Sequence, residues 1–258
     1  MLPQAPVPGS AGQHATEVTL ANGRVDDTGR DRFSLPMRLL AIDTALDACS
    51  VAVLDQDGGQ ARVTSACEIL GRGHAERLMA MIGEVMAEAS LPFAALDRIV
   101  VTAGPGSFTG LRVGLSAARG IALVVGAPAV GIGTLDALAH MAREEAVEPC
   151  PVFAVLEAKG PEIYGQGFDA DGTPLAAPVA IAAADFGRDL PPRALLAGGG
   201  AAKVVAACGR TDLRVAHEAA WPDIAAVVRL GAQADPLAHP PEPLYLRAPD
   251  AAPARRDE

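Results

Sequence analysis

An α/β fold with mixed strand directions is the class this sequence predicts, and three observations predict it. Short apolar runs alternate with amphipathic helical stretches, the pattern of sheets covered by helices. A series of hairpin strands comes first, and strand–helix alternation follows. The same order then returns weakly in the second half, where Gly198–Gly200 leads into a helix as Gly104–Gly110 does in the first.

Residues 1–36 stand apart from this pattern. They hold Pro3, Pro6, Pro8, Gly9, Gly12, Gly23 and Gly29 with little periodicity, and are expected to be a disordered extension. Met37 directly precedes the first clear strand and is read as the true initiator. Arg38–Leu54 reads as two strands joined by a turn at Leu46-Asp47-Ala48, and Asp57-Gly58-Gly59 turns the chain into a third strand, Ala61–Leu70. A helix follows at His74–Ala89, and Arg98–Thr102 is a buried strand. Gly104-Pro105-Gly106 enforces a turn, because glycine tolerates positive φ and proline fixes φ. Ser107 or Thr109 then caps a helix to about Val125. Pro128–Gly131 suits a short strand, and Thr134 caps a helix over Leu135–Glu145.

Pro149-Cys150-Pro151 breaks the pattern and divides a first lobe, 37–148, from a second, 149–235. Val152–Glu157 and Glu162–Asp169 read as a hairpin, Ala194–Leu196 as another strand and Ala201–Cys208 as a helix. Pro222 suits the first turn of a last helix ending near Gln233. Repeated prolines make the tail, 236–258, extended.

Composition narrows the function. The chain has 258 residues, half of them hydrophobic and 3% aromatic, so its core is built from Ala, Val, Leu and Ile. A net charge of −10 with no basic run argues against gripping a nucleic-acid backbone alone. Cys49, Cys67, Cys150 and Cys208 show no CxxC spacing and read as free thiols of a reducing cytoplasm. No apolar run reaches the roughly 18–20 residues of a membrane span. His14, His74, His140, His217 and His239 are too scattered for a metal site, and no HxxH or GxSxG occurs.

Three stretches carry candidate sites. Asp43-Thr44 ends the first strand, where Asp43 bonds either to neighbouring backbone or, weakly, to a nucleotide. The loop holding Gly104, Gly106, Ser107, Thr109 and Gly110 lacks the lysine of a P-loop, although its helix N-terminus could contact an anion. Gly106, Gly110, Gly114 and Ala118 recur every four residues, and this stripe favours close packing. Helix-interior glycine costs roughly 0.8–1 kcal/mol relative to alanine, so such packing should compensate. The third stretch is the helix 74–89. Leu78, Ile82, Val85 and Ala89 form one stripe, and Met79, Met81 and Met86 widen it beyond what a one-sided helix needs. Burial against both its own sheet and a partner is expected; cover by the helix 108–125 is the alternative.

The segments GPGSFTGLRVGLSAARG (104–120), LLAIDTALDACSVAV (39–53) and GHAERLMAMIGEVM (73–86) together resemble the TsaB (YeaZ) family. The resemblance continues more loosely through 153–169, LLAGGG (195–200) and EPLYLR (242–247). It implies the two-lobed actin-like (ASKHA, ribonuclease-H-like) fold, with mixed sheets and a reduced second lobe. It also implies a role in bacterial synthesis of threonylcarbamoyladenosine in tRNA, as a required, non-catalytic partner of TsaD. TsaD transfers threonylcarbamoyl from its adenylate to N6 of the adenosine beside the anticodon, in tRNAs reading codons that begin with A. TsaC-type enzymes make the adenylate, and TsaE supplies a P-loop ATPase.

In the family, the two helices matching 74–89 and 108–125 pair with those of TsaD, or of a second copy, as a four-helix bundle. The carry-over lands on Leu78, Met79, Ile82, Val85, Met86, Leu111 and Leu115, so Ile82→Asp is expected to abolish TsaD binding and leave the monomer folded. ATP or ADP is a candidate ligand of the complex, and no cofactor is assigned to this chain alone. Glu157-Ala158-Lys159 stands where the family has Asp-Ala-Arg, and lysine cannot reproduce the arginine fork. Tyr164 is expected in the core, and EPLYLR is expected to dock or close the lobes. The rival readings are an independent actin-like ATPase or sugar kinase, and a homodimeric regulatory protein.

Overall fold

The computed structural model describes residues 12–16, 36–57 and 60–247. Its first sheet holds β1 (Gly12–Thr16), β2 (Met37–Asp43), β3 (Ala48–Asp57), β4 (Gln60–Ile69), β5 (Arg98–Gly104) and β6 (Ala129–Gly133), in the order β1-β4-β3-β2-β5-β6. β2, β3 and β4 form an antiparallel meander, and β5 and β6 continue parallel to β2. The second sheet holds β7 (Val152–Glu157), β8 (Glu162–Phe168), β9 (Val179–Ala182), β10 (Leu195–Ala197) and β11 (Arg214–His217), in the order β11-β10-β7-β8-β9. Here too a three-strand antiparallel meander precedes two parallel strands. Apart from β1, the two sheets follow one path, which is the two-lobed actin-like fold with mixed sheets. Leu39, Leu40, Ala41 and Ile42 of β2 are all buried, the unbroken apolar run of a central strand covered on both faces.

The helices are α1 (His74–Glu88), α2 (Phe108–Val125), α3 (Thr134–Glu145), α4 (Ala183–Asp189), α5 (Ala201–Cys208) and α6 (Ile224–Gln233). α1 and α2 cover one face of the first sheet, packing on Leu40, Ile42, Val51, Val53, Ile99 and Val101. α6 covers the other face through Ile224, Ala226, Val227 and Val228, against Leu39, Ala41, Ala52, Leu54 and Val100. α3 sets Leu135, Leu138, Ala139 and Ala142 on the second sheet, whose opposite face receives α4 and α5. α3 and α6 thus lie between the sheets, and α2, though long and apolar enough to cross a membrane, buries its inner face in the first lobe.

Several expectations change. The division at 149–235 gives way, because α6 returns to the first lobe, where it joins Ala137 of α3 in covering the apolar side formed by Leu39, Ala41, Ala52, Leu54 and Val100. Gly12–Thr16, inside the extension expected to be disordered, runs antiparallel along the open edge of β4, with Gly12 opposite Cys67 and Thr16 opposite Val63. The rest of that extension, up to residue 35, lies outside the described residues, as does the tail beyond 247. Asp223 rather than Pro222 opens α6, its carboxylate accepting from Ala225 N at 2.9 Å. Thr134 is the first residue of α3 rather than its cap, and its buried hydroxyl has no bonded partner among the described residues. β9, α4 and β11 are additions to the sequence reading.

Candidate functional site

Asp43 ends β2 and is fully buried. Its Oδ1 accepts from Ala45 N at 2.9 Å and from the Thr102 hydroxyl at 2.5 Å, while Oδ2 has no bonded partner among the described residues. Burial pushes the carboxyl above its ordinary range, against the pull of these two bonds. The hydroxyl of Thr44 donates to Gly110 O at 2.8 Å, and Ser107 N donates to Ala45 O at 2.7 Å. A Cβ on Gly106 would run into the Ala45 carbonyl oxygen, one on Gly110 into that of Thr44, and one on Gly114 into the Thr44 hydroxyl. The stripe therefore seats the start of α2 on the turn between β2 and β3. Ser107, not Thr109, caps α2, accepting from Gly110 N at 3.3 Å. Gly104 turns at φ +110°, where glycine is favoured.

The helix surface differs from the expectation. Leu78, Ile82, Val85 and Met86 of α1 and Leu111 and Leu115 of α2 are all buried in the first lobe's own core; Ile82 is 0% exposed. They cannot form a free interface, so the expected outcome for Ile82→Asp is corrected: a charge there would disrupt the lobe itself. The helical stripe signalled burial, and the covering sheet and neighbouring helix account for all of it but Met79. Met79 alone of the seven is exposed, at 56%. The outer face of the helix pair instead carries Met79 with Leu123 and Val124, which are 85% and 86% exposed. Gly83 and Gly120 are exposed within the two helices, and a Cβ added at either would meet nothing within 4 Å among the described residues. In sequence, these glycines could have been found as helix-interior positions outside the apolar stripe.

The lobes meet in a cleft of about 290 Å³ lined by Gly106, Ser107, Lys159, Tyr164, Tyr245 and Arg247, among others. Tyr164 packs against the core of the second sheet, as expected, but is only half-buried and also lines the cleft. Lys203, unmarked in the sequence reading, donates to Ala158 O, Gly160 O and Glu162 O at 3.3, 2.7 and 2.8 Å and fixes the turn carrying Lys159. Cys49 is buried and its thiol is pushed up to about 12, burial being the main cause. All four cysteines are free, and among the described residues no three His, Cys, Asp or Glu side chains converge on a metal-sized site.

Residues 66–190 match the family described as TsaD: tRNA N6-adenosine threonylcarbamoyltransferase. The Escherichia coli tRNA threonylcarbamoyladenosine biosynthesis protein TsaB is 35% identical over 136 residues, 52% of this chain and 56% of that protein. YeaZ from Pseudomonas aeruginosa superposes with a TM-score of 0.68 at 26% identity, covering 81% of this chain and all of that one. The chain belongs to the TsaB/YeaZ family. An uncharacterized Mycobacterium bovis protein is a longer match, 34% identical over 219 residues, covering 83% of this chain and 94% of that one. By contrast, the chain spans about half the length of the curated TsaB relatives it matches, 56% for the Escherichia coli protein and 52% for that of Haemophilus influenzae.

Proposed function

We propose that this chain takes part in tRNA threonylcarbamoyladenosine synthesis as a non-catalytic partner of TsaD, acting in the cytoplasm and scaffolding a complex that also includes TsaE. The observation that carries the reading is the outer face of α1 and α2. Met79, Leu123 and Val124 present apolar surface, and Gly83 and Gly120 leave backbone open beside it. An exposed helix-interior glycine costs roughly 1 kcal/mol without packing, and a partner helix laid close against it would compensate. The family's four-helix pairing falls on this pair of helices, with contacts moved from the buried stripe to the outer face. Asp43 and the loop glycines already bond to and pack on their own chain, which weighs against an independent ATPase or kinase.

The test is co-purification with TsaD of the same organism, read by size exclusion with light scattering. Met79→Asp combined with Val124→Asp should remove the heteromeric peak and leave the melting transition of the isolated chain in place. Co-elution equal to wild type would refute the surface. A wild-type chain that pairs with itself and ignores TsaD would favour the homodimer, since the same apolar face can close two-fold.

A further inference from the structure

Beyond α6 the chain crosses back over the first lobe as an extended strap. Pro240, Pro241 and Pro243 carry no N–H, so the strap bonds to the lobe largely through its carbonyls. His239 O accepts from Gly131 N at 3.0 Å, Pro241 O accepts from the Arg119 guanidinium, and Leu244 N donates to Ala103 O at 2.7 Å. The fit is close: a Cβ on Gly131 would lie 2.7 Å from Pro240 O, and one on Gly104 would lie 2.8 Å from Leu244 O. The Tyr245 ring packs on Phe108 at 5.0 Å, and the Tyr245 hydroxyl accepts from Arg112 Nε at 3.3 Å.

The end of the strap is held differently. Arg247 reaches the second lobe and pairs with Glu162, the first residue of β8, at 3.0 Å, with both side chains 38% exposed. Leu244–Arg247 forms one wall of the interlobe cleft, facing Lys159 and Tyr164. A half-exposed ion pair contributes little and weakens with salt, whereas the upstream anchors are two backbone bonds, a guanidinium bond and close packing.

We propose that residues 239–247 form an interlobe latch, with 239–245 fixed to the first lobe and 246–247 a releasable end held to the second lobe by Arg247–Glu162. Opening the cleft then requires release of this ion pair and leaves the upstream anchor intact. This inference is independent of the partner proposed above.

The experiment is amide hydrogen exchange on the full chain. Arg247→Glu should speed exchange in the turn 158–162, where Ala158 N donates to Glu162 O, by about two- to fivefold, the scale of an exposed ion pair. The amides of Gly131 and Leu244 should stay as protected as in wild type. The swapped pair Arg247→Glu with Glu162→Arg should restore wild-type rates, and high salt should loosen the wild type in the same places. Unchanged exchange in Arg247→Glu would overturn the latch, as would a rise that the swapped pair does not reverse. Loss of protection at Gly131 and Leu244 in Arg247→Glu would overturn the division into anchor and releasable end.

Discussion

Neighbouring residues on α1 have opposite fates, and the difference is measurable. Ile82 is enclosed by the first lobe while Met79, three residues earlier, faces out. Ile82→Ala should cost about 2–5 kcal/mol through lost contacts and a residual cavity. Met79→Ala should stay within about 0.5 kcal/mol, as surface changes do. Urea unfolding of both variants checks this, and equal losses would show that the two faces are misassigned. Asp43 gives a pH signature. Its carboxyl is raised above an ordinary value of about 3.9, so the folded state binds that proton more tightly than the unfolded state. The resulting stability is complete below about pH 4 and falls as pH rises through the raised folded value. Asp43→Asn should therefore gain on wild type between about pH 4 and about pH 7, its amide oxygen still accepting from Ala45 N and Thr102. A variant whose difference from wild type is the same at both pH values would contradict the buried-acid reading.

At the scale of an element, α2 uses glycine in two ways. Gly106, Gly110 and Gly114 admit the Thr44–Ala45 turn, whereas a Cβ on Gly120 would meet nothing within 4 Å among the described residues. Gly110→Ala should destabilise by about 1–3 kcal/mol, because a methyl there displaces backbone. Gly120→Ala should stabilise the isolated chain by roughly 0.5–1 kcal/mol through helix propensity. Paired thermal melts test both signs; a loss at Gly120 would reveal an intrachain role. The four-residue spacing was legible in sequence and pointed to close packing. What the stripe packs on was not legible, since the β2–β3 turn lies far upstream and spacing along one helix carries no information about the element opposite it.

For the whole molecule, the lobes are interleaved in sequence. β2 and β3 bury one face under α6, which comes after the entire second sheet. A fragment ending at 148 lacks that cover and exposes Leu39, Ala41, Ala52, Leu54 and Val100 on one sheet face. It should show no cooperative thermal transition, while the chain through 247 should show one. A sharp transition in the short fragment would mean that the first lobe is self-sufficient.

Local patterns alone determined the meander-then-alternation order of the first half, the hairpin that opens the second, the extent of α1 and the turn into α2, because these depend on periodicity and on the backbone limits of glycine and proline. The family motifs at 39–53, 73–86 and 104–120 were likewise in plain view. Tertiary structure decided which apolar residues are left over. Leu78 and Ile82 read as interface candidates until their own sheet and α2 are seen to enclose them, and Leu123 and Val124 are left exposed among the described residues. It also decided that α6 belongs with the first sheet and that Arg247 meets Glu162. Burial and long-range pairing are properties of elements brought together, and hydrophobic spacing within one segment records only that a face needs cover, not which part of the chain provides it.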